Sequence, residues 1–195
     1  ASSRAVYGEG QNRCESCQTN FLARPRKVKE LDERNWEIKC PTCGMAAAFL
    51  PMTEDSPPSP ISIYGITKWQ QEQLANSVAE TYGMAVTTLR FFDVYGPGQS
   101  LGNPYTGVLR TFFRRATARQ SIEVYEDGKM LRDFVFVADV VEALTRSLNN
   151  EKAFGAMLNV GLGQAITLHD IARQMFRSLK IEPQLGGSGR YRVGD

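Results

Sequence analysis

Tyr64-Gly65-Ile66-Thr67-Lys68 opens a segment that reads as helix from about Ile63 to Tyr82, and Ala85-Val86-Thr87-Thr88-Leu89-Arg90-Phe91-Phe92 follows it as a buried strand. Ile66, Trp69, Leu74, Val78 and Tyr82 recur at helical spacing, and Gly83 suits the C-terminal stop. The stretch after it is β-branched and aromatic, the composition of a strand. The same alternation extends both ways. Residues 1–8 read as the end of a buried strand, and the proline-rich connector 51–60 can be neither helix nor central strand. Beyond the loop Tyr95-Gly96-Pro97-Gly98-Gln99, residues 106–119 read as helix. Residues 122–125 and 133–137 read as short strands around the turn Glu126-Asp127-Gly128. Asp139 is placed to cap a helix through about Leu148, residues 157–161 form a further strand, and Thr167 caps a helix through Leu179. Strands alternating with helices specify an α/β fold with a mainly parallel sheet.

Composition narrows the class. A chain of 195 residues can bury one or two cores, and 42% hydrophobic with 23% charged residues is ordinary for a globular protein. A net charge of +2 is too small to argue for nucleic acid. No apolar run approaches the roughly 20 residues that span a bilayer, and no charged-then-apolar leader is seen. The expectation is a cytoplasmic protein with neither nucleic acid nor membrane as partner. Both ends read as cuts through a larger protein.

All four cysteines fall in two Cys-x-x-Cys pairs, Cys14/Cys17 and Cys40/Cys43, inside residues 10–50, which carry several charges and little apolar periodicity. A tight turn closed by glycine, as in Cys40-Pro41-Thr42-Cys43-Gly44, aims two thiolates at one point. Two such turns make a four-sulfur tetrahedral site that suits structural Zn²⁺. The alternatives are two disulfides, which do not suit a cytosolic chain, or a redox motif, which needs one pair rather than two. The basic run Arg24-Pro25-Arg26-Lys27-Val28-Lys29 is followed at once by Glu30, Asp32 and Glu33 and reads as solvated surface.

A spacing of four puts the Tyr64 phenol and the Lys68 ammonium on one helix face. A nearby positive charge favours phenolate, so such a pair can move a proton near neutral pH. Alone the pattern is common on helix surfaces. Three further stretches join it: Ser2-Ser3-Arg4-Ala5-Val6-Tyr7-Gly8, Arg90-Phe91-Phe92-Asp93-Val94-Tyr95-Gly96-Pro97-Gly98-Gln99, and Arg132-Asp133-Phe134-Val135-Phe136-Val137-Ala138-Asp139.

In this order they closely resemble extended short-chain dehydrogenases/reductases of the nucleotide-sugar epimerase/dehydratase family, over nearly the whole chain except residues 10–50. The implied fold is the C-terminal part of a Rossmann-like parallel sheet with a small substrate-binding subdomain, at 1–9 and 51–195, interrupted at 10–50 by a zinc-ribbon-like insertion. The family's glycine-rich dinucleotide fingerprint belongs about a hundred residues before the serine motif, on the first βα turn, and is not in these residues. Gly161-x-Gly163 follows a late strand and is no substitute.

The resemblance implies NAD as cofactor and a dTDP- or UDP-sugar as substrate. It implies that Ser3 relays the sugar proton, Tyr64 is the catalytic base, and Lys68 tunes Tyr64 and holds the nicotinamide ribose. Arg132 and Arg192, the latter in Arg192-Val193-Gly194-Asp195, match arginines that clamp the pyrophosphate. Asp93 departs from the pattern, which has Asn near the substrate phosphates; a carboxylate there is expected to point elsewhere or to bind a sugar or backbone donor instead. Family members are often homodimers through a bundle that includes the Tyr/Lys helix.

Dehydratases carry Asp-Glu directly after the Ser/Thr, where this chain has Arg4 and Ala5. A 4-epimerase, or a 4-keto reductase or 4-dehydrogenase, remains. The insertion, together with residues 98–107, is similar to bacterial dTDP-L-rhamnose 4-epimerases. A different class, a noncatalytic zinc-binding interaction module, is the competing reading. His169 is expected to be a solvated or capping residue, and Trp36 and Trp69 are expected to pack. The apolar side of the helix bearing Phe112, Phe113, Arg114 and Arg115 is expected to be core.

Overall fold

The computed structural model describes residues 1–100 and 107–192; residues 101–106 of the loop compared above and Val193-Gly194-Asp195 lie outside the described residues. In chain order the elements are β1 (Ser2–Ser3), β2 (Gln11–Cys14), β3 (Thr19–Leu22), α1 (Val28–Asp32), β4 (Ala48–Phe49) and α2 (Ile63–Tyr82). Then come β5 (Thr88–Phe91), β6 (Asp93–Tyr95), α3 (Val108–Thr117), β7 (Ile122–Val124), β8 (Leu131–Phe136) and α4 (Val137–Leu148). Last are β9 (Met157–Val160), β10 (Ala165–Thr167), α5 (Leu168–Leu179) and β11 (Leu185–Gly187). The chain divides into two compact units, one of residues 1–91, 146–159 and 192–195, the other of residues 92–145 and 160–191.

In the first unit β5 lies between β1 and β9, and β1 pairs with β5 in parallel, Ser2 opposite Arg90. The expected strand at residues 1–8 stops at Ser3. Ser3 caps a 3-10 turn over Arg4–Tyr7, whose Val6 and Tyr7 are buried. The insertion forms a separate antiparallel sheet in the order β3-β2-β4. α2 has the expected bounds: Ser62 caps its start by accepting from the Gly65 N–H, and Gly83 in the left-handed region ends it. Its packing differs from the expectation. Ile66, Trp69, Leu74, Val78 and Tyr82 are all exposed, and the helix buries Gly65 and Glu72 instead. The stripe of 65, 68 and 72 is the one that turns toward β1 and the 3-10 turn, so the apolar residues face outward.

In the second unit β8 pairs in parallel with β6 and antiparallel with β10, and β7 pairs in parallel with β11. Thr167 caps α5 as expected, accepting from the Asp170 N–H at 3.0 Å. Asp139 lies in the first turn of α4, which begins at Val137, and is not its cap. Phe112 and Ala116 of α3 pack with Ala172 and Phe176 of α5 and with Ile122 and Val124 of β7, forming the core of this unit. Phe113 is exposed, so the buried side of α3 is narrower than its apolar sequence suggests. His169 packs at the turn below: its N–H donates to the Gly128 carbonyl at 3.0 Å, and a Cβ at Gly128 would lie 3.2 Å from its ring.

Phe176 is 1% exposed at the centre of that core. Replacing it with Ala is expected to cost about 3–5 kcal/mol through lost transfer energy and a residual cavity. Urea denaturation of the two proteins measures this.

Candidate active site and four-cysteine centre

The first unit is organised around a buried charge pair. Arg90 of β5 donates to Glu72 of α2 through two bonds, Nη2 to Oε2 at 2.7 Å and Nε to Oε1 at 2.9 Å. Both side chains are 1% exposed. Ser2 of β1 donates its hydroxyl proton to the same carboxylate. Arg90 Nη1 donates to the Tyr7 hydroxyl at 2.8 Å, and the guanidinium lies 4.8 Å from the Tyr7 ring centroid. Tyr7 in turn donates to Asn159 of β9 at 2.7 Å. Asn159 donates to the Met52 carbonyl and, through its backbone, to Glu54 at 2.9 Å, which fixes the connector after the insertion. Burial alone would lower the Arg90 pKa; the hydrogen bonds with Glu72 and Tyr7 outweigh it and hold the guanidinium above its ordinary value. No sequence pattern announces this cluster. Glu72 reads as a surface residue of an exposed helix until Arg90 is seen beneath it.

On this base the 3-10 turn that Ser3 caps lies against the start of α2, the helix that carries Tyr64 and Lys68. Ser3 is half-buried, and its Oγ accepts from the Ala5 N–H at 3.2 Å. A Cβ at Gly65 would lie 2.5 Å from the Ala5 carbonyl, so only glycine lets α2 start against the Ser3 turn. Tyr64, one residue earlier, is 56% exposed. Lys68 Nζ lies 5.9 Å from the Tyr64 ring centroid and donates to Gln71 at 3.0 Å and to the Ala1 carbonyl at 3.4 Å. A phenol and an ammonium on the first turns of α2, and a serine hydroxyl at the turn packed against its start, are groups of the kind that move a proton to or from an alcohol.

The residues that the resemblance assigns to the substrate divide between the units. Asp93 of β6 and Arg132 of β8 are half-buried on neighbouring strands of the second unit, with Arg132 two residues from the register partner of Asp93. Arg132 donates to the Leu131 carbonyl at 2.9 Å. Arg192 is exposed and is grouped with the first unit. Asp133, which sequence reasoning passed over, accepts from the N–H groups of Leu162 and Gly163 at 2.9 and 2.8 Å and so fixes the turn after β9. Its one signal was its place inside the quoted Arg132–Asp139 motif.

The four cysteines come together. Their sulfurs all lie within 4.8 Å of one another, with Cys14–Cys43 at 3.5 Å and Cys17–Cys40 at 4.0 Å. None is in a disulfide. A tetrahedral zinc with sulfurs at 2.3 Å needs S–S distances of roughly 3.8 Å, which these values bracket. The Gly44 N–H donates to the Cys40 carbonyl at 2.9 Å, closing the second turn. The Cys40 thiol is lowered to about 6, chiefly by the Cys43 backbone N–H; the Cys17 thiol is pushed up to about 12, chiefly by its hydrogen bond with Cys43. A soft cation that displaces the shared protons fits this all-sulfur donor set.

The sequence matches the NAD dependent epimerase/dehydratase family over residues 38–161. The chain belongs to that family. The dTDP-L-rhamnose 4-epimerase of Burkholderia thailandensis is 37% identical over 100% of this chain and 52% of its own length. A UDP-N-acetylglucosamine 4-epimerase from Methanobrevibacter ruminantium, solved with UDP-N-acetylmuramic acid, superposes with a TM-score of 0.71 at 25% identity, covering 100% of this chain and 50% of that one. A UDP-glucose 4-epimerase from Thermus thermophilus, solved with NAD, gives a TM-score of 0.68 at 26% identity, covering 80% of this chain and 49% of that one. This epimerase/dehydratase-family chain therefore spans about half the length of the relatives it matches. Among its described residues no helix is long and apolar enough to cross a membrane.

Removing one member of a buried ion pair strands the other charge. Glu72→Ala is expected to lose about 3–5 kcal/mol in urea denaturation, whereas the double change Glu72→Met with Arg90→Met, which removes both charges at similar volume, stays near wild type.

Proposed function

We propose that the complete protein is an NAD-dependent nucleotide-sugar 4-epimerase acting on a dTDP-6-deoxyhexose, dTDP-L-rhamnose in the first instance. The observation that carries this reading is that the turn capped by Ser3 packs against the start of α2, where Lys68 lies beside Tyr64, in a chain of the NAD dependent epimerase/dehydratase family. The 37% identity to a dTDP-L-rhamnose 4-epimerase along the whole chain supports the choice of sugar. Residues 1–9 and 51–195 form the catalytic and substrate portion, and residues 10–50 a zinc-holding insertion.

In this reading Tyr64 takes the proton of the sugar 4-hydroxyl and returns it after the ring has turned over, with Ser3 hydrogen-bonded to the same oxygen. Lys68 stabilises the phenolate and offers donors to the ribose of the cofactor; its ammonium already reaches oxygen acceptors at 3.0 and 3.4 Å. NAD, when bound, accepts the carbon-bound hydrogen and gives it back. Arg132 and Arg192 grip the pyrophosphate, where a planar fork suits phosphate oxygens. Asp93 accepts from a sugar hydroxyl. The protein works in the cytoplasm as a homodimer.

Incubating the complete protein with dTDP-L-rhamnose and no added cofactor tests the reaction. Conversion to the C4 epimer is expected; no conversion without added cofactor would favour the 4-keto reductase or 4-dehydrogenase reading. Tyr64→Phe is expected to lower kcat by about 10²–10⁴-fold. Metal analysis is expected to find zinc at one ion per chain in wild type and none in Cys40→Ser; a metal-free wild-type protein would refute the zinc assignment.

A further inference from the structure

We propose that Ser2 is a positioning residue, whose hydroxyl, held by Glu72, sets the distance between Ser3 and the Tyr64–Lys68 face of α2. The proposal rests on the reading of those three residues as the proton-moving set. Tyr64, Lys68 and Glu72 are spaced i, i+4 and i+8, so they form one stripe of α2. Glu72 closes the stripe from beneath, and two bonds to Arg90 immobilise it. Ser2 and Ser3 are consecutive in β1, so their side chains leave on opposite sides of the strand. Ser2, 5% exposed, turns inward to the Glu72 carboxylate, and this sends the Ser3 hydroxyl to the other side.

Pairing with β5 fixes β1 within its sheet, Ser2 opposite Arg90 and Ser3 opposite Phe91. Arg90, opposite Ser2, ties β5 to Glu72 of α2, and the Ser2 hydroxyl adds the bond that β1 makes to the same carboxylate itself. The Ser2–Glu72 bond joins the residue before Ser3 to the base of the Tyr64–Lys68 stripe, one turn from the bond that Lys68 makes to the Ala1 carbonyl at 3.4 Å. Its loss leaves no stranded charge, because Glu72 keeps both bonds to Arg90.

The test uses the complete protein, dTDP-L-rhamnose as substrate, and the variants Ser2→Ala, Ser2→Thr and Ser3→Ala. Ser2→Ala is expected to lower kcat about tenfold, the scale of a sub-ångström misplacement of reacting groups, with KM within about twofold. Its Tm is expected to fall by no more than about 4 °C, the scale of one lost hydrogen bond. Ser2→Thr, which keeps the hydroxyl, is expected to restore kcat. Wild-type kcat in Ser2→Ala, with Ser3→Ala inactive, overturns the positioning role and leaves the proton-moving set standing. Equal turnover, or none, in wild type and Ser3→Ala overturns that set and the positioning role with it. If Ser2→Ala does not fold, Ser2→Cys replaces it: an intermediate kcat supports the proposal and a wild-type kcat overturns it.

Discussion

The first unit depends on one carboxylate–guanidinium pair. Glu72 and Arg90 come from a helix and a strand that share no sequence pattern, and their charges are withdrawn from water completely enough that each needs the other. Neighbouring polar groups extend the pair. Ser2 takes one side of the carboxylate, Tyr7 takes the far nitrogen of the guanidinium, and Asn159 passes the chain of bonds on to the connector. β1, its 3-10 turn, α2, β5 and β9 are therefore tied at one point. An apolar core could hold these elements together, but it would let them slide; directional bonds to a charged pair do not.

The four-cysteine segment enters and leaves beside this point. Gly10 donates to the Tyr7 carbonyl at 3.0 Å on the way in, and Ser59 donates to the Val6 carbonyl at 2.8 Å on the way out. Between them β2 pairs with β4, and the half-buried Glu9–Arg26 pair at 3.1 Å fastens the base of the segment. The sulfurs stand at the far end of β2, beginning with Cys14. The segment that precedes the Tyr64 helix is thus returned to the segment that carries Ser3, although more than fifty residues separate them. A cation among the sulfurs would close this loop at its distal end, a structural role consistent with coordination by protein ligands alone.

The two units use different means of cohesion. The second has an ordinary apolar core between α3, α5 and β7, and its polar order lies at the turns, where Asp133 holds the N–H groups of residues 162 and 163. The first places its order in buried polar groups, and α2 leaves Ile63, Leu74 and Tyr82 largely exposed in the described structure. The apolar periodicity of α2 was a correct sign of helix and an incorrect guide to its buried face. Periodicity reports that a helix has two sides; which side is covered depends on what lies against it.

Local chemistry was enough to establish much of this protein. The hydroxyl cap at Thr167, the stop at Gly83, the paired Cys-x-x-Cys turns and the four-residue spacing of Tyr64 and Lys68 are short-range facts, decided by bonds and sterics within a few residues, and they were legible in the chain. The early end of the first strand was missed because the Ser3 side chain offers its own hydrogen bond to the Ala5 N–H and turns the backbone away from the sheet. The Glu72–Arg90 pair, the bond from Ser2 and the contact of Gly65 with the Ala5 carbonyl join residues 18, 70 and 60 positions apart. Only tertiary structure could decide these, because a buried charge reveals its partner when the chain has closed around both.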